Sequence, residues 1–236
     1  TISSHSPTNN IKMMSGDPSY NSQELFEVLL PPTEYFTTWD PYTSSPPLNR
    51  LEKQTPPAIA KSRKLVHRDK DWHSSSHVWL LDPCARKILL QKRSIHKDTF
   101  PGRWDISAAG HVTFGNSPRI TALQEVEEEL GIVIADDRLE FAFCIPAAMA
   151  DLGGCNCYEY VYFVIYDSTT KSNKKNYEMR LNAGEVDAVK WIDLEEFEKS
   201  LANGDEMVVP RAPDYAPLFF AKASSLIKTR EFSMDK

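Results

Sequence analysis

Short apolar runs separated by turn-forming residues dominate the chain between residues 64 and 228. Residues 76–81 and 87–92 each read as a half-buried strand, and the segment 82–86 with Pro83 closes them into a hairpin. Pro101 and Gly102 mark a tight turn over 100–105, which feeds a short strand at 106–109. Further strands are predicted at 139–145, 157–166 and 188–192, and an apolar strand at 24–30 is stopped by Pro31 and Pro32. Trp79 and Trp191 alternate with apolar strand residues and are expected in the core. The period changes to that of a helix after Ser117. Ser117 is a suitable N-cap, Pro118 a suitable first helical residue, and Gly131 a stop. Asp193 caps a second helix that carries Phe197 and Leu201 on one side, and 218–228 forms a third.

Mixed strands with two or three helices place the chain in the α/β class, as an α/β/α sandwich with a mixed β-sheet. Residues 1–23 are rich in Ser, Thr and Asn and read as a disordered leader. Prolines 41, 46, 47, 56 and 57 suggest an irregular excursion over 31–60. One domain is therefore expected over 24–228, followed by a tail at 229–236.

The chain has 236 residues, so one domain of fair size with extensions suffices. A net charge of −6 argues against a nucleic-acid surface. No apolar run reaches membrane-spanning length. The four cysteines lack metal-finger spacing and read as reduced thiols inside a cell. The start of the chain has no secretory signal and is only weakly compatible with a transit peptide, so the cytoplasm is the expected compartment, with organelle targeting left open.

Glu125, Glu128 and Glu129 fall at i, i+3 and i+4 on the first helix and share one face, while Leu123, Val126 and Leu130 lie on a flank that can enter a core. Like charges at this spacing repel and destabilise a helix. A divalent cation resolves the conflict, and Mg²⁺ or Mn²⁺ prefers such oxygen ligands.

With Gly110, Gly131 and Ile132, these residues resemble the Nudix box, and the resemblance implies the Nudix fold and a metal-assisted attack on a diphosphate. Two positions depart from the box: Asn116 stands for a glutamate and Gln124 for an arginine. The family pairs those two residues, so a neutral hydrogen-bonding pair is expected here. The resemblance implies that Glu125, Glu128 and Glu129 hold Mg²⁺ or Mn²⁺, with Glu128 and Glu129 the most direct ligands. It offers Glu185, on a later loop, as general base.

A second resemblance, over roughly 64–220, is to type 1 isopentenyl-diphosphate isomerase and its hydrolase-like relatives. His67, His73 and His111 fall at the histidines that hold a metal there, and Glu159 at one of its two glutamates. Cys157 stands at the other. Arg93 and Lys97 match cations that grip the substrate diphosphate, a task suited to a fork and a point charge. Trp104 is a candidate to line the pocket or stack on a base. Isomerisation in that family needs a cysteine where this chain has Ala109, which has no acid or base. The chain also resembles the Nudix domain that plants fuse to a peptidase-like domain.

The expected activity is hydrolysis of a diphosphate linkage in a nucleoside diphosphate derivative, a prenyl diphosphate or another small organic diphosphate. The alternatives are the isomerase, disfavoured by Ala109, and a non-catalytic diphosphate-binding module suggested by Asn116 and Gln124. The expected partner is a small-molecule diphosphate, with a homodimer as the candidate assembly and no nucleic acid or membrane.

Overall fold

In the computed structural model, residues 24–29, 31–32, 59–166 and 178–234 are described. The leader at 1–23 and most of the proline-rich stretch lie outside them. Two short strands, β1 (Leu25–Val28) and β2 (Ile59–Ser62), form an antiparallel ribbon, followed by the seven-residue helix α1 (Arg63–Asp69). Neither β2 nor α1 is predicted from the pattern. Only Val66 of α1 is buried, so the helix leaves no apolar period to read.

The sheet is organised by the ten-residue strand β3 (His73–Asp82). β8 (Asn156–Ile165) runs parallel to it along one edge. The other edge is shared: β6 (Ala108–His111) pairs with 75–78, and β4 (Lys87–Arg93) joins only at 81–82. Because β4 leaves β3 early, a gap opens between β4 and β6 at the end of the sheet where the candidate site lies. β9 (Val186–Asp193) pairs with β4, and the two-residue β5 (Trp104–Asp105) closes on Gln91 and Lys92. β7 (Leu139–Ala148) pairs antiparallel with β8 as the terminal strand, interrupted by a register shift near Phe141 and carrying Pro146. Proline offers no ladder N–H and belongs on an edge.

Alternation along β3 divides the core into two layers. Trp79 and Leu81 face a cluster with Phe143, Val161 and Phe163 that is covered by α3 (Leu194–Ala202) and α4 (Tyr215–Met234). Val78 and Leu80 face a cluster with Tyr160 and Val164 that is covered by α2 (Pro118–Leu130) through Ala122, Val126 and Leu130. The expected α/β/α sandwich with a mixed sheet is the fold observed. Trp79 is fully buried and its indole N–H donates to the Tyr215 hydroxyl at 2.8 Å. Trp191 is only partly buried, beside the α2 layer.

Both ends of α2 follow from its caps. The Ser117 hydroxyl accepts from the Ile120 N–H at 3.2 Å, and Gly131 ends the helix at φ 69°. Helix α4 begins three residues before the predicted start and runs to Met234, through most of the segment expected as a tail, because no Gly or Pro interrupts it there. β3 begins three residues before the predicted 76. Its polar first half, with His73, Ser75, Ser76 and His77 all buried, hides the strand from an apolar pattern.

Candidate active site

A cavity of about 790 Å³ opens where β4 and β6 diverge, between α2, the loop after β4 and the loop before α4. Helix α2 brings Glu125, Glu128 and Glu129 to its wall. Glu129 is 2% exposed, and its Oε2 accepts from the Ala109 backbone N–H and the Gln91 side-chain amide, both at 3.0 Å. Burial raises its pKa, against the pull of Lys97 and these hydrogen bonds. Glu125 is pushed up to about 8 by burial, with repulsion from Glu129 and Glu128 adding to it. Its carboxylate packs directly on Gly110, where a Cβ would come within 1.8 Å of Oε1. The glycine of the box is therefore a cradle for a glutamate. Glu128 is exposed at the opening.

Lys97 sits over this stripe. Its ammonium lies 3.7 Å from Glu129 Oε1 and forms a close ion pair with Glu185. Glu185 is held by its backbone, whose carbonyl accepts from Ser94 N–H at 3.0 Å. The amides Asn116 and Gln124 form the neutral pair expected of them, with Asn116 Nδ2 donating to Gln124 Oε1 at 3.3 Å and to Thr113 Oγ1 at 2.9 Å.

Arg93 lines the cavity but is largely committed to the protein. Its Nε donates to the Thr99 carbonyl, one terminal nitrogen to Thr99 Oγ1 and the other to Asp105 Oδ2. Asp105 also pairs closely with Arg211. Burial would raise the Asp105 pKa, but Arg211 and Arg93 overcome it and hold it below the usual range. Trp104 is absent from the described cavity wall. Its ring packs beside the core, with the Lys190 ammonium 4.2 Å above it. The structure thus places it away from the pocket-lining role suggested for it, because β5 turns it toward β9.

His67, His73 and His111 come together with Cys155, their donor atoms all within 4.8 Å of one another. Glu159, expected with the histidines, lies outside that group. Burial holds it up at about 7, and its Oε2 is buried without a hydrogen-bond partner. Cys157 approaches His73 Nε2 at 3.4 Å. His73 Nδ1 donates to the Asp71 carbonyl at 3.1 Å, which leaves Nε2 as its acceptor. Burial lowers all three histidines, His73 to about 4, so they are neutral near pH 7. Cys155, Asp105, Gln91 and Arg211 were not singled out from the sequence. Cys155 stands two residues from Cys157, a spacing too tight for a metal finger, so the sequence reads it as a plain thiol and its place beside the histidines corrects that reading.

The profile of the NUDIX domain matches residues 72–212. The chain belongs to the NUDIX domain family. Nudix hydrolase 3 of Arabidopsis thaliana is 36% identical over 155 residues, 64% of this chain and 20% of that protein. This NUDIX chain therefore spans about a fifth of that relative's length. The prenyl-diphosphate phosphatase of Methanosarcina mazei is 30% identical over 141 residues, 60% of this chain and 75% of that protein. An isopentenyl-diphosphate Delta-isomerase of Mycolicibacterium vanbaalenii is 34% identical over 79 residues, 34% of this chain and 43% of that protein. Among the described residues of this NUDIX domain, no helix is long and apolar enough to cross a membrane.

Proposed function

We propose that this NUDIX domain hydrolyses the diphosphate linkage of a small organic diphosphate, with Mg²⁺ or Mn²⁺ held by Glu125, Glu128 and Glu129. The observation that carries the reading is Glu125, a half-buried carboxylate packed against Gly110 and beside two others, with a pKa near 8. Such a group is unfavourable as an anion unless a cation joins it, and three oxygen donors suit a hard divalent ion. When bound, the metal would neutralise phosphoryl oxygens and acidify a water. Lys97, reaching over the stripe, binds and orients the diphosphate as a point charge. Each terminal nitrogen of Arg93 keeps a second N–H for the same anion. Glu185, 41% exposed at the opening, takes the proton of the attacking water. The Ala109 N–H fixes Glu129 in place, and Ala109 brings no acid for allylic chemistry.

The three histidines with Cys155 support a second metal site in this reading. Four mutually close, neutral or softly nucleophilic donors are a set suited to zinc rather than magnesium. The sulfur of Cys155 takes the place proposed for Glu159. Metal analysis of zinc-loaded protein should show one tightly held ion in the wild type and its loss in Cys155→Ser.

Phosphorus NMR of a diphosphate panel with Mg²⁺ and Mn²⁺ tests the activity. Glu128→Gln should abolish turnover while the protein stays folded, and unchanged turnover would remove the proposed metal role. Conversion of isopentenyl to dimethylallyl diphosphate would establish the isomerase instead, and binding without phosphate release would establish a binding module.

A further inference from the structure

We propose that Arg211, carried on Asp105, forms a second anion subsite in the cavity, so that the preferred diphosphate is joined to a polar group bearing another phosphate or carboxylate. This rests on the hydrolase reading and names its substrate class. The side chains of Arg93, Asp105 and Arg211 are 13%, 6% and 10% exposed and all line the cavity. Two guanidiniums share one carboxylate in a poorly hydrated wall, so neither has a carboxylate of its own, and the fork of Arg211 is held in place facing the cavity where a ligand anion can meet it.

Glu159 supplies the second, independent observation. It lies close enough to Arg211 and Asp105 to feel both charges, it is 8% exposed, and its Oε2 has no hydrogen-bond partner. This end of the cavity therefore offers two guanidiniums on one shared carboxylate and an unpartnered carboxyl oxygen. A hydrocarbon tail seated here would strip water from both and return nothing. A hydroxyl-bearing ligand with a terminal phosphate satisfies both, and the planar fork of Arg211 fits such an anion. The two ends of the wall are continuous, because Arg93 contacts Asp105 and its charge is also felt by Glu129. One molecule can thus place its diphosphate under Lys97 and its second anion at Arg211.

The test compares 5-phosphoribosyl 1-diphosphate with geranyl diphosphate on the full chain with Mg²⁺. The expected kcat/KM is at least tenfold higher for the first, mostly through KM. Arg211→Lys, which keeps the charge and loses the fork, should narrow that ratio to under threefold. Equal turnover or a preference for geranyl diphosphate in the wild type overturns the subsite, as does an unchanged ratio in a folded Arg211→Lys. If that variant does not fold, the wild-type ratio decides. If neither these compounds nor any member of the diphosphate panel is hydrolysed, the hydrolase reading fails on its own. Calorimetric binding of the same two ligands then decides the subsite, with tighter geranyl binding overturning it.

Discussion

Gly110→Ala tests the placement of Glu125 with a single methyl group. The added Cβ would lie 1.8 Å from Glu125 Oε1, 2.1 Å from Cδ and 2.8 Å from Cγ, all under the 3.0 Å that real Cβ atoms respect. Gly110 is paired with Ser76 in β6 and has no positive φ, so alanine fits the backbone. What must move is the end of the Glu125 side chain. Overpacking a rigid core costs about 1–3 kcal/mol. Here the displaced group is a carboxylate with a pKa near 8, whose release toward water offsets part of that cost. Metal-free stability should therefore change by no more than about 1 kcal/mol in urea unfolding. Mg²⁺ affinity should fall about 10–100-fold, the range seen when a ligand's support is disturbed. The assay is the Mg²⁺ concentration that gives half-maximal turnover, read beside the unfolding curve. In a Glu125→Ala background the same glycine change should add almost nothing. Unaltered Mg²⁺ dependence in Gly110→Ala, or strict additivity in the double variant, would refute the reasoning.

Other outcomes follow from buried charge. Glu125 and Glu159 have folded pKa values of about 8 and about 7 against an ordinary 4.5, so the folded state holds protons that the unfolded chain releases. The histidines lowered by burial oppose this up to about pH 6.5, so stability of the metal-free protein should fall as pH rises from about 6.5 to 8, by about 1–2 kcal/mol. Thermal melts across that window check it. Glu125→Gln should flatten the upper part, and a melting temperature that climbs would contradict it. Asp105→Asn leaves two buried guanidiniums without their shared carboxylate and should cost about 3–5 kcal/mol in urea unfolding. Restoring an ion pair with Asn116→Glu and Gln124→Arg should shift stability by under about 1 kcal/mol, because both positions are exposed.

The parts of the fold with a strong period or a capping residue are legible in the sequence. Ser117, Pro118 and Gly131 bound α2 to the residue, and the 82–86 turn gives the hairpin. What hides is polar or short. The opening of β3 consists of buried serines and histidines whose partners lie elsewhere in the chain, such as the Pro118 carbonyl for Ser76. β5 spans two residues, and α1 buries one. In the candidate site the glutamate stripe shows through its i, i+3, i+4 spacing. Gln91 and Arg211 do not, because each acquires its setting only when distant strands and loops meet, at Glu129 and Asp105. Trp104 illustrates the converse error, a large aromatic near the site whose ring is turned toward β9.

Pro146 has a bearing on how copies of the chain behave at high concentration. β7 ends the sheet, and among the described residues no strand pairs with its outer edge. An open edge is a template on which another chain can add a strand. Pro146 interrupts the row of donors such an addition requires, and the register shift near Phe141 twists the same edge. Pro146→Val would leave the fold intact and supply the missing donor. The expected result is a protein of similar melting temperature that aggregates at lower concentration in light scattering, so this proline guards solubility rather than stability.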